Sequence, residues 1–126
     1  MHITSDFITH TMNIDDLDCH DAKILNVTEN TQDRYLDFLL NFPTNWEDNI
    51  FELRILRFTE VIFYNIDQMP FSGKPAIFQI INLGPVTKSW GAGRNFEETR
   101  TKIEIQTNAG NRIIEYKDCS LLIPEK

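Results

Sequence analysis

The sequence predicts a mainly antiparallel all-β domain, either a sandwich or a curled, partly closed sheet of six or seven strands with little helix. Three observations lead there. Apolar residues recur with a period of two, most clearly where Leu36, Phe38, Leu40 and Phe42 share one face of a segment. No segment carries an i, i+3, i+4, i+7 stripe long enough for an amphipathic helix. Clusters of Gly, Pro, Asn and Asp also interrupt the chain at intervals suited to short strands. With 126 residues, 41% of them hydrophobic and 14 aromatic, the chain suffices for one domain over residues 1–126. Residues 1–14 read as a loosely attached N-terminal segment. The composition excludes a disordered chain, and no apolar run approaches the ~18–20 residues that cross a bilayer.

The first hairpin pairs Ala22–Thr28 with Tyr35–Phe42 through the polar stretch Glu29–Arg34. In the second of these strands Asp37 and Asn41 mark the wetter face, and Pro43 is expected to end it. A polar loop over Thr44–Asn49 carries Trp46. Phe51, Leu53 and Ile55 then alternate with Glu52 and Arg54, and a phase slip at Leu56 and Phe58 suggests a bulge or a strand end. A helix starting near Asn45 is the rival over 46–56, and strict alternation argues against it. Val61–Ile66 is β-branched and aromatic with little polarity, the composition of a strand covered on both sides. Gln68–Lys74 holds Pro70 and Gly73 and reads as a loop, and Ala76–Leu83 returns to strand character. Gly84–Asn95, with Gly84-Pro85, Gly91, Gly93 and Trp90, is expected to be the longest irregular stretch. Thr101–Thr107 and Arg112–Lys117 close the chain as a hairpin around Asn108-Ala109-Gly110-Asn111, with Gly110 at a positive φ.

The net charge is −7 and unevenly placed: residues 1–67 hold thirteen acids and four bases, residues 68–126 six acids and eight bases. An acidic first half repels phosphate, so no nucleic-acid partner is expected, and it attracts a basic protein. Acidity for solubility alone is the plainer explanation. MHITSDFITH has neither a basic start nor a continuous apolar run, so no secretory signal and no membrane partner are expected. Cys19 and Cys119, one hundred positions apart, read as free thiols of a reducing, cytoplasmic compartment. There the Asn26-Val27-Thr28 sequon is an accident.

The densest functional-looking segment is Asp15-Asp16-Leu17-Asp18-Cys19-His20-Asp21. It has ligand types enough for a metal, but neighbours on an extended chain point to opposite faces, and the calcium-loop pattern lacks its glycine and terminal glutamate. The plainer reading is a turn in which His20 and Asp21 bind local backbone before the first strand. Neither cysteine sits in a nucleophile signature, and Cys119 reads as a small buried residue. No metal, no cofactor and no catalytic residue are expected. Glu97-Glu98 and Glu47-Asp48 read as solvated acid pairs, and Gly91-Ala92-Gly93 as a loop tip rather than a dinucleotide site. Trp46 and Trp90 are each either a lid folded on the core or a contact anchor.

The order of pieces has a likeness. CHDAKILNV, the Tyr35–Phe42 strand, a loop tryptophan, LRILRFTEVIFY, AIFQIINL and TKIEIQTNAGNRIIEYKDCSLL together resemble the small bacterial immunity-protein families of polymorphic-toxin and contact-dependent inhibition systems, and their uncharacterised relatives. The motifs that carry it are His20-Asp21-Ala22, Phe58-Thr59-Glu60-Val61 and Lys117-Asp118-Cys119, over about residues 18–122. Residues 1–14 and 84–96 have no counterpart. The resemblance implies a mainly antiparallel β domain that binds a cognate toxin and catalyses nothing.

The function read from the sequence is therefore a non-catalytic cytoplasmic protein-binding module, a monomer or weak dimer, that neutralises a basic partner such as a toxin domain. Asp15, Asp16, Asp18, Glu47, Asp48, Trp46 and Trp90 are the candidate contact residues, with His20 and Asp21 as a structural turn. The alternative is a small-molecule or lipid carrier with a phenylalanine-lined cavity in a β barrel. A stand-alone structural or oligomerisation domain is a further alternative, and a metal-dependent hydrolase ranks below these.

Overall fold

The computed structural model describes residues 12–45, 47–68, 73–90 and 96–124. Among these the backbone forms eight strands: β1 (Lys23–Asn30), β2 (Tyr35–Asn45), β3 (Ile50–Thr59), β4 (Phe63–Gln68), β5 (Ile77–Trp90), β6 (Phe96–Thr107), β7 (Gly110–Tyr116) and β8 (Asp118–Leu122). They make two four-stranded sheets, ordered β1-β2-β3-β8 and β4-β7-β6-β5, with every pairing antiparallel and neither sheet closed into a barrel. The all-β sandwich expected from the periodicity is the fold.

The period-two pattern decides which face each strand buries. Leu36, Phe38 and Leu40 of β2, with Leu56 and Phe58 of β3 and Ile24 of β1, meet Ile77, Ile103, Ile105, Ile114 and Tyr116 from the second sheet in one apolar core. Its centre is aromatic: Phe58 lies edge-on to Phe38 at 5.8 Å and tilted against Tyr116 at 4.9 Å, and Tyr64 stands edge-on to Phe38 at 6.0 Å. Such edge contacts set the positive rim of one ring against the negative face of the next.

Two corners join the sheets. β3 pairs with β8 and β4 with β7, while β3 runs on into β4 and β7 into β8. The four segments are thus one long two-stranded ribbon that bends from the first sheet into the second, as at the corners of sandwiches whose strands switch sheets. Glu60 takes the bend with a φ of 50°. Ile62 N donates to Glu115 O and Lys117 N to Thr59 O, each at 3.0 Å. The second corner joins the start of β1 to the start of β5, through Ile24 N to Pro75 O, Ile77 N to Ala22 O, both 2.8 Å, and Asp21 N to Ile77 O at 2.9 Å.

Residues 12–22 form a strap between the sheet edges. Met12 N donates to Cys119 O on β8, Asn13 caps a single 3-10 turn over Ile14–Asp16, and Ile14, Cys19 and Ala22 enter the core. Asn82 of β5 donates to the Asp15 carboxylate at 3.3 Å, and Asp21 meets Ile77, so the strap follows the outer edge of β5. Of the segment expected to be loosely attached, residues 12–14 are therefore packed, and 1–11 lie outside the described residues.

Five expectations are corrected. The six or seven strands are eight, because Lys117 divides the closing ribbon and Cys119 sits inside a strand of its own rather than at the end of the previous one. Val61–Ile66 is not a strand covered on both sides: Val61 and Ile62 belong to the corner, and β4 is an edge strand with Phe63 and Ile66 exposed. The stretch from Gly84 is not irregular. β5 continues to Trp90, with one bulge on either side of Gln79–Asn82 and Gly84 at a φ of 90° to absorb the second. The slip at Leu56 is not a bulge either, since β2 and β3 keep one register from Phe51 to Thr59, and Ile55, on the face opposite Leu56, is itself buried. β2 also outlasts Pro43. Pro43 pairs with Phe51 of β3, beyond Lys23↔Asn41, the last β1–β2 pair.

Candidate functional site

Register places the acidic segments together. Lys23 pairs with Asn41 and Asn45 with Ile50, so the strap leading into β1 and the β2–β3 turn lie at one end of the first sheet. Asp18 and Asp21, where the strap enters β1, and Glu47 and Asp48 in the turn are exposed at this end, while Asp15 and Asp16 are exposed farther back along the strap, where Asp15 meets Asn82 of β5. Among the described residues none of the six has a Lys or Arg within ion-pair distance; Asp21 lies 3.4 Å from His20 Nδ1. Local hydrogen bonds hold several in place. Asp18 Oδ1 accepts from His20 N at 3.1 Å, Asn45 Nδ2 donates to Asp48 at 3.1 Å, and Asp48 N donates back to Asn45 Oδ1 at 3.1 Å. Ile50 and Leu53, both exposed, adjoin this end on β3.

The strap segment does not assemble a metal site. Cys19 turns into the core at 3% exposure while His20 and Asp21 face outward, and no three His, Cys, Asp or Glu side chains converge among the described residues. The turn is built from the Asp18 carboxylate and the Asp21 backbone, whose φ of 69° is one that Asp tolerates better than most residues. Burial, with the Asp18 carboxylate adding, pushes the Cys19 thiol up to about 12, and burial raises Cys119 to about 11. Both sulfurs stay protonated at neutral pH, the opposite of what a nucleophile needs.

Of the two tryptophans, Trp46 lies outside the described residues, as do Gly91, Ala92 and Gly93. Trp90, expected at the centre of a loop, is instead the last residue of β5, paired with Phe96 across the β5–β6 hairpin.

At the opposite end of the first sheet the structure adds a feature that the sequence did not suggest. A cleft of about 430 Å³ opens beside the first corner, lined by the β1–β2 turn (Glu29, Arg34, Tyr35), the bend (Glu60, Val61, Ile62), Tyr64 and, from β6, Glu98 and Arg100. Arg100 is only 7% exposed, and it ties β6 to the bend: Nε donates to Glu60 O at 2.7 Å, Nη1 to Glu98 Oε2 at 2.8 Å and to Thr99 O at 3.0 Å. Arg34 Nη1 donates to Glu60 Oε2 at 3.1 Å. Two of the cleft's carboxylates are thus neutralised by guanidinium groups, and no His, Ser or Cys lines it. Glu98, read from the sequence as a solvated acid, is the clamp on Arg100. Glu98 and Arg100 stand two apart on β6 and so share a face, a spacing visible in the sequence, whereas the tie of Arg100 to Glu60 is made only by the bend and has no sequence signal. None of the phenylalanines lines the cleft; Phe38 and Phe58 fill the core.

No helix among the described residues is long and apolar enough to cross a membrane. Comparison with family models, with curated proteins and with solved structures finds no match to this chain. The functional reading rests on its own geometry.

Proposed function

We propose that this domain is a non-catalytic protein-binding module that holds a basic partner against the acidic end of its first sheet, in the manner of an immunity protein masking a toxin domain in a bacterial cytoplasm. One observation carries the reading: six exposed carboxylates from two separate segments, four of them at one end of the first sheet and two farther back along the strap, have no neutralising Lys or Arg among the described residues. Uncompensated charge of one sign raises encounter rates with an oppositely charged protein and is screened by salt over about 8–10 Å. Exposed Ile50 and Leu53 beside it supply apolar contact. The carrier reading has less support, since the cleft is charged and aromatic rather than phenylalanine-lined and neither sheet closes.

The test is association with the catalytic domain of a toxin encoded beside this gene, followed by stopped flow at low and physiological salt. Glu47→Lys, and separately Asp16→Lys, should each slow association at low salt and leave the melting temperature in place. An association rate independent of salt overturns the acidic-face reading.

A further inference from the structure

We propose that β4 is a self-association edge: two copies pair their β4 strands antiparallel about a twofold axis at Asn65, joining their second sheets into one eight-stranded sheet. Each sheet has two edges, and natural sheets blunt edges that are not meant to pair. Among the described residues three of the four are blunted. β5 carries two bulges, Pro85 and the strap; β8 is met by Met12; β1 is joined at its start to residues 75–77, and Lys74 Nζ donates to Leu25 O at 3.1 Å. Among the described residues β4 has none of these devices. Its sequence, FYNIDQ, holds no Lys, Arg, Pro or Gly, and its register with β7 is unbroken over all six residues. Phe63 at 38% and Ile66 at 42% are among the exposed large hydrophobic side chains of the molecule.

The side chains favour a second copy as occupant. Tyr64 packs against Phe38, so it faces the core, and Phe63, Asn65 and Asp67 share the outer face. Directly opposed residues of an antiparallel pair share a face, so centring the axis on Asn65 sets Phe63 against Asp67 and Tyr64 against Ile66, twice each, with the two Asn65 amides facing each other. Lys88 completes the match. Its ammonium sits 4.8 Å from the Phe63 ring centroid and 2.8 Å from the Glu115 carboxylate, so the second copy's Asp67, arriving opposite Phe63, meets a cation already in place. The exposed Ile66 covers the second copy's Tyr64, an aromatic–β-branched pair of the kind that stabilises sheets. In the second sheet β5, which carries the acidic strap, is the strand farthest from β4, so dimerisation leaves the partner-binding end free.

Sedimentation across the micromolar to millimolar range, with a cysteine scan, tests this. The wild-type chain should show a concentration-dependent dimer, and Asp67→Lys or Ile66→Lys, both at exposed positions, should weaken it about tenfold or more with the melting curve unchanged. Asn65→Cys should form an intermolecular disulfide under mild oxidation, while Thr28→Cys on the β1 edge should not; the buried native thiols do not compete. A monomer at every concentration overturns the proposal and leaves β4 open to a strand from a different protein. A dimer that survives both lysine variants, or equal cross-linking at positions 28 and 65, overturns it in favour of another interface.

Discussion

Replacing Arg57 by Met should destabilise the domain by about 2 kcal/mol, and replacing Asp37 by Leu in the same chain should restore most of the loss. The two residues face each other across β2 and β3, with Arg57 Nε and Nη2 each 2.8 Å from an Asp37 oxygen and the guanidinium 3.9 Å from the centre of the Tyr35 ring. Their side chains are 21% and 14% exposed, between a surface pair and a buried one. Surface pairs contribute about 0–1 kcal/mol, whereas breaking a buried pair costs about 3–5 because a desolvated charge is left alone. Attraction at about 4 Å with an effective dielectric near 20 is about 4 kcal/mol, and desolvation cancels a large part of it. Hence a loss of about 2 for either single variant, within about 1 of wild type for the apolar double variant, and a coupling near 3. Urea denaturation reads this as a midpoint shift at constant slope. The hydrogen bonds that Arg57 donates to Asp37 raise the Arg57 pKa above its ordinary value, so the guanidinium loses its proton only under strongly alkaline conditions. Single losses below about 0.5 kcal/mol, or a double variant as unstable as the two singles summed, would refute the argument.

Three further outcomes follow from the same geometry. Cys19 and Cys119 should be unreactive toward a thiol reagent at pH 8 in the native protein and should both react once it is unfolded. Because burial lifts their pKa values from 9.0 to about 12 and about 11, the unfolded chain loses these protons first as pH rises. Stability should therefore hold below pH 9 and fall by roughly 1 kcal/mol per pH unit for each thiol up to about pH 11, measured by urea midpoints; a flat profile there contradicts it. Gly84→Ala should cost about 1 kcal/mol through its φ of 90° alone, since an added Cβ has nothing within 4 Å, and an unchanged midpoint would show that β5 relaxes at its bulge. Arg100→Met should raise amide exchange in residues 96–101 above that of β7, because three hydrogen bonds tie that segment to the bend and to its own strand; equal exchange would mean that the clamp is dispensable.

Alternation made the interior legible. Leu36, Phe38, Leu40 and Phe58 declare a buried face because a strand offers each side chain only two directions, and the closing hairpin at Gly110 is marked by a turn chemistry that few residues satisfy. What alternation cannot mark is a change of sheet. The apolar run from Val61 to Ile66 looked like a central strand because residues packed into a bend are as apolar as residues covered on both faces. Likewise Gly84-Pro85 reads as a break in any linear scan, yet a positive-φ glycine at a bulge is what lets β5 continue along an edge where Pro85 leaves no ladder bond unmade.

The same logic separates the two ends of the first sheet. The acidic end was visible because its carboxylates are dense in the sequence, and register alone brings Glu47 and Asp48 to the end where the strap enters β1. The cleft was not visible, because Glu60, Glu98 and Arg100 come from positions up to forty apart and meet only when the ribbon folds. Two of its three acids are paired with arginines, whereas the acidic end has no such partner among the described residues. Charges satisfied within the fold stabilise it and attract little from outside. Charges left unsatisfied at the surface cost some self-repulsion, and a basic partner relieves it. That asymmetry is the physical ground for the basic partner proposed at the strap end of the first sheet, whereas the second copy proposed at β4 rests on the bare edge there.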